Sequence, residues 1–235
     1  MAGPNANNKI PNLVVKRALV EMRRLSLLFL DHRGQIGMDL IESYADAVSG
    51  YSTLSSVEDD STLTSQWVVD KGPHRQGTID ARRATYEDSN VDEIEAFLSE
   101  AMPFLRRATT RLGSHPIERL GVLFQFAVSE TFDRNGILQM HGVTSQDNRV
   151  MLDARLSFVD FGDPWSSKVR CGFEGFSPNE HSEHASLVIS IDQSTVDVSY
   201  RDVLAINLTD RYEVARTSAQ AVLAEIIERG KVHGR

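Results

Sequence analysis

The segment 117–128 restricts most tightly what this chain can become. Leu120, Val122, Phe124 and Phe126 alternate with Arg119, Gly121, Leu123 and Gln125, the period-two pattern of a β-strand. The second face is itself partly apolar, which places the strand inside a sheet rather than at its edge. Further strands are expected at 137–143, 150–161, 168–176, 186–192 and 195–202. Short links such as Ser145-Gln146-Asp147-Asn148 and Asp163-Pro164-Trp165-Ser166 separate most of them. Neighbours joined in this way must run antiparallel, because a parallel crossover needs about a dozen residues or more.

The first half mixes both periods. Residues 13–30 fit a helix through apolar positions 18, 22, 25 and 29, and fit a strand through Leu25 to Leu30, so both assignments stand. A short helix is expected over 38–48, a polar loop over 51–62, and a hairpin from 66–69 and 78–86 around Gly72-Pro73 and Gly77. Asn90 is a good N-cap, so a helix is expected from Val91 to about Leu112, kinked or divided at Pro103 and stopped at Gly113. A second long helix is expected from about Thr209 to Arg229, with Val214, Ala221, Val222, Leu223, Ala224, Ile226 and Ile227 as its apolar stripe and Gly230 as its stop. Helices grouped on one face of antiparallel sheet make an α+β fold. The expected organisation is a tail over 1–12, an α+β subdomain over 13–113, and a sheet with a long C-terminal helix over 114–235; one continuous domain is the alternative. Sheet followed by helix occurs near 64–112 and again over 117–230, a pattern of two similar halves.

Composition excludes several classes of function. A single cysteine, Cys171, rules out an internal disulfide, a four-thiolate zinc site and a Cys-x-x-Cys redox pair, and fits a reducing, cytoplasmic setting. The net charge of −8 argues against general binding to nucleic acid or anionic membrane. The start of the chain lacks the pattern of a secretory signal, and its longest early apolar run, Leu25 to Leu30, is far too short to span a bilayer. Charge is uneven: residues 1–35 carry six basic and two acidic groups, the remaining 200 carry 19 and 31. Such a basic leading segment pairs with its own domain, with an acidic partner or with nucleic acid, and it has no interleaved aromatics for stacking bases.

No phosphate loop, dinucleotide fingerprint or nucleophile elbow occurs, so no cofactor and no catalytic residue is expected. Asp160-Phe161-Gly162 stands without the other kinase motifs, and Cys171 reads as a buried structural thiol. His181 and His184, with Glu180 and Glu183, offer ligands for a divalent ion, although the stretch after Pro178 reads first as a solvated loop between two strands. Phe158, Phe161, Trp165, Phe173 and Phe176 crowd around the Asp-Pro-Trp turn, as core or as the wall of an apolar groove beneath the C-terminal helix. Trp165, beside Pro164 in a turn, is expected to be partly exposed and to anchor an interface together with Phe173 and Phe176.

Pro116-Ile117-Glu118-Arg119-Leu120-Gly121-Val122-Leu123-Phe124, with a strand-rich stretch and a terminal helix after it, resembles a sporadically distributed family of uncharacterised bacterial proteins, a resemblance that implies no activity. The second half, with its hairpin over 150–176 and a terminal helix closing on Ile226-Ile227-Glu228-Arg229-Gly230, is similar to SecB-type export chaperones. That likeness implies an oligomer holding apolar segments of clients on a surface containing Phe173 and Phe176. The reading these observations favour is a cytoplasmic bacterial protein without catalysis, working through self-association or a protein partner. The alternatives are a chaperone-like or small-ligand module using the apolar groove, and a metal-dependent hydrolase at His181 and His184.

Overall fold

The computed structural model describes residues 12–24, 53–59, 64–70, 73–79, 83–110, 117–133, 156–161, 164–174, 184–198 and 205–233. Nine strands form one sheet: β1 (Leu13–Arg24), β2 (Thr53–Asp59), β3 (Thr64–Asp70), β4 (Arg75–Ile79), β5 (Arg83–Asp88), β6 (Ile117–Asp133), β7 (Leu156–Phe161), β8 (Ser166–Glu174) and β9 (His184–Val198). Two long helices accompany them, α1 (Ile94–Thr110) and α2 (Leu208–His233). The strand order is β2-β3-β4-β5-β1-β6-β9-β8-β7 and every neighbouring pair is antiparallel. The fold is α+β.

Connectivity repeats across the sheet centre. In each half an opening strand, β1 or β6, is followed by a meander that starts at the sheet's edge and ends beside the opening strand, on β5 or β9, and then by a helix. The opening strands pair with each other, α1 lies over β5 and β1, and α2 lies over β9 and β6. The repeat therefore begins at β1, well before the residue 64 at which strand-and-helix patterning alone places it.

Both helices cover the same face, because the Phe124 ring meets Phe97 of α1 edge-on at 6.3 Å and Tyr212 of α2 at 5.4 Å. Ala18, Val20, Met22, Ala84, Tyr86, Leu120, Val122, Phe124, Ile189 and Ile191 alternate onto this face and are buried in one cluster. From α1 it receives Phe97, Ala101, Met102, Phe104 and Leu105, at helical spacing. Each fully buried large side chain stabilises the fold by about 1.5–3 kcal/mol.

The structure corrects several sequence expectations. Residues 13–24 are strand, and the polar stretch 51–62 contains β2, whose backbone pairs with β3 from Thr53↔Asp70 to Asp59↔Thr64. The expected strand over 78–86 is two strands, β4 and β5, with no glycine or proline between them to signal the reversal. The break expected between Asp192 and Thr195 is absent: β9 runs through it, with Asp192 and the Gln193 amide nitrogen bonded to neighbouring elements as described below. Helix α1 starts at Ile94, three residues after Val91, where a cap at Asn90 would begin it, and the Val91 N–H donates to the Lys16 carbonyl at 3.1 Å. Lys16 lies where the β1–β6 register slips between Val15 and Arg17, which leaves that carbonyl outside the ladder. Pro103 does not divide α1, its exposed ring sitting on the solvent side while Met102 and Phe104 are both buried. Helix α2 passes through Gly230 to His233, and Leu208, Ala215, Ala219, Val222 and Leu223 are buried, whereas Val214 is 43% exposed and Ala221 faces solvent. The helix expected over 38–48, the strand over 137–143 and the tail over 1–11 lie outside the described residues.

Candidate functional site

The face opposite the two helices carries mostly polar side chains, with Leu19, Leu123, Val196 and, beyond Arg17 and Gln125, a row of Val14, Ala127 and Val188; Val14 is 56% exposed. The register places Arg83, Arg23 and Arg119 in one row across β5, β1 and β6. Arg17, Gln125, Ser190 and Arg170 form another row six residues along, across β1, β6, β9 and β8. Between them stand Thr85, Glu21, Gly121, Ser194 and Ser166, then Glu87, Leu19, Leu123, Asp192 and Lys168. The only apolar pair in these four rows is Leu19 opposite Leu123 at the centre, both half-buried.

The charges here are organised. Arg119 Nη2 donates to both carboxylate oxygens of Asp192, at 3.0 and 3.2 Å. Its Nη1 stands 3.8 Å from Glu21 Oε1, which also accepts from Arg23 Nε at 2.6 Å. The guanidinium lies over Gly121, where an added Cβ would be 3.5 Å from it, so β6 offers a flat floor for a side chain reaching to both neighbouring strands. Hydrogen bonding and attraction to Glu21 raise the Arg23 pKa, with smaller help from Glu118 and Asp192. Arg17 Nε donates to Glu87 Oε1 at 2.7 Å. The basic leading segment thus pairs in part with its own sheet.

The turn before β8 holds Trp165, half-buried and packed against the core cluster. The Arg211 guanidinium, in the first turn of α2, sits 5.0 Å from the centre of its ring. Directly beside this pair, buried Gln193 donates from Nε2 to the Arg211 carbonyl at 3.0 Å, and Ser166 Oγ donates to the Ser194 carbonyl at 3.3 Å. The polar residues read as a break in β9 are therefore the ones that tie β8, β9 and α2 together.

A third polar group joins β4, β5 and α1 on the helix face. Asp88, 1% exposed, accepts from the Asn90 N–H at 3.2 Å and stands 3.1 Å from Arg75 Nε, while Arg75 also approaches Glu100 of α1 at 3.6 Å. Tyr86 donates its hydroxyl proton to the same Glu100. Burial raises the Asp88 pKa above its usual value, against the Asn90 hydrogen bond and Arg75, which lower it. Among the described residues no three His, Cys, Asp or Glu side chains are grouped to hold a metal ion.

Of the residues singled out in the sequence, Trp165 is placed as above. Phe173 lies in β8 opposite Leu187, and His184 opens β9 opposite Asp133. Phe176 and His181 fall outside the described residues. Cys171 is buried, and burial, with the Glu225 charge second, pushes its thiol up to about 11, which keeps it protonated and unreactive. Beneath α2, Tyr212 lies on Phe124 and Phe126 at 5.4 and 6.3 Å, so rings occupy this part of the space between sheet and helix. The arginine rows were not foreseen, since each arginine alone reads as an exposed strand position and only the register aligns them.

Comparison with protein-family models, with curated proteins and with solved structures finds no match to this chain. Among the described residues no helix is long and apolar enough to cross a membrane.

Proposed function

We propose that this is a non-catalytic bacterial protein of the cytoplasm that works by protein–protein contact, using the open face of its sheet. The observation that carries the reading is the division of the sheet: the core cluster lies on the helix face, while the other face presents Leu19 and Leu123 among charged side chains, with exposed Val14 beyond Arg17. A small apolar centre with a polar rim is the anatomy of a protein interface. Trp165 does not belong to that surface: it packs on the helix face, against the core and beneath Arg211.

A photo-reactive amino acid placed at Leu123 in the full chain, and separately at solvent-facing Ala221 on α2, tests this in the host cell. A discrete protein adduct from position 123 and none from position 221 is expected. Adducts only from position 221, or none from either, would overturn the reading.

A further inference from the structure

The four rows of the open face differ in charge. Cations occupy both ends, with Arg83, Arg23 and Arg119 at one and Arg17 and Arg170 at the other. The carboxylates Glu21, Glu87 and Asp192 lie in the two rows between, where Lys168 stands opposite Asp192, and Glu118 adds one more beside Arg23. Six cations against four carboxylates make this patch basic on a chain whose net charge is −8. Glu21 and Asp192 pair with Arg23 and Arg119, and Glu87 with Arg17, so the excess positive charge of the patch is a net one.

Resting on the protein-contact reading, we infer that the partner presents an acidic, amphipathic segment whose carboxylates meet the two basic rows and whose apolar side chains rest on Leu19 and Leu123. The chemistry follows from charge complementarity. A second copy placed face to face would set basic row against basic row. Nucleic acid is the poorer match, because the two basic rows themselves hold no aromatic side chain on which a base could stack, Phe161 on β7 standing at the end of a row between them. Six residues along a strand separate the two basic rows by about 20 Å, the length of about fourteen helical residues. Side chains of the segment at both ends then reach arginines at once.

The test uses the full chain and a fluorescein-labelled helical peptide of about four turns, with glutamates at both ends and leucines in the middle. Its controls are the same peptide with lysines for glutamates, and an oligouridylate. Fluorescence anisotropy at about 20 mM and about 200 mM salt reports binding. The glutamate peptide is expected to bind at low salt, to weaken at high salt, and to bind at least about tenfold more weakly to the double variant Arg83→Gln/Arg170→Gln. Both replaced residues are exposed, so folding is expected to survive, as the melting temperature checks. Equal binding of the lysine peptide, stronger binding of the oligouridylate, no binding of the glutamate peptide, or an unchanged double variant would each overturn the inference. An adduct at position 123 alongside any of those results would leave protein contact standing and remove only its acidic partner.

Discussion

Arg119 of β6 reaches across Gly121 and holds both carboxylate oxygens of Asp192 on β9, while its other nitrogen faces Glu21 on β1. One side chain thereby ties three adjacent strands, β1, β6 and β9, together on the face that no described helix covers. The pair is partly exposed, so its worth is modest. Arg119→Met is expected to cost about 1 kcal/mol in urea unfolding, and a double-mutant cycle with Asp192→Asn to show coupling of about 0.5–1 kcal/mol that shrinks with salt. Coupling indistinguishable from zero at low salt would remove the strut.

Two glycines on opposite faces separate close packing from open space. At Gly77 an added Cβ would lie 2.6 Å from the Phe104 ring, whose neighbours Tyr86 and Leu105 are themselves buried. Gly77→Ala is expected to destabilise by about 2 kcal/mol, because α1 must lift or Phe104 must leave its rotamer. At Gly121 the nearest contact is an ordinary 3.5 Å, and Gly121→Ala is expected to change stability by less than about 0.5 kcal/mol. Thermal melts of the two variants check the contrast.

Asp88 gives the stability a sign against pH. Its folded pKa is raised, so the folded protein binds a proton more readily than the unfolded chain; the stability this contributes is complete below the usual value of 3.8 and is lost as pH rises through the folded value. Arg75→Met removes a partner that opposes the shift and leaves a buried carboxylate without its cation, costing about 3 kcal/mol near neutrality. The deficit should shrink as the pH falls towards 4, as Asp88 is protonated in the variant. A deficit constant across that range would mean that Arg75 acts through packing alone.

Trp165 is a pin. Trp165→Ala loses ring packing and the Arg211 contact and is expected to cost about 2 kcal/mol, whereas Trp165→Phe keeps a ring under the guanidinium and should cost about half as much. Chemical denaturation distinguishes them, and equal losses would contradict a stabilising role for the ring.

The sequence disclosed most where period and burial coincide. The alternation from Leu120 to Phe126, with a partly apolar second face, identified a central strand, and the residues of that alternation are buried completely. It disclosed least where polar residues take up partners far along the chain. Asp192 closes the strand expected over 186–192 and Gln193 falls in the gap before 195, yet their partners, Arg119 and the Arg211 carbonyl, are visible only once β6 and α2 have been placed. The bond from the Val91 N–H to the Lys16 carbonyl, at the β1 bulge, is likewise visible only in the fold. The arginine row depended on register, which no spacing within a single strand reveals.

The central claim is contact through the open face, and native mass spectrometry of the untagged full chain from its host tests it most directly. Wild type is compared with Leu19→Thr/Leu123→Thr, which removes the apolar centre while keeping residues suited to strands. The account predicts that wild type carries a protein partner in fixed stoichiometry and that the double variant, melting within a few degrees of it, does not. The same complex in both proteins, or a bare monomer in both, would contradict it.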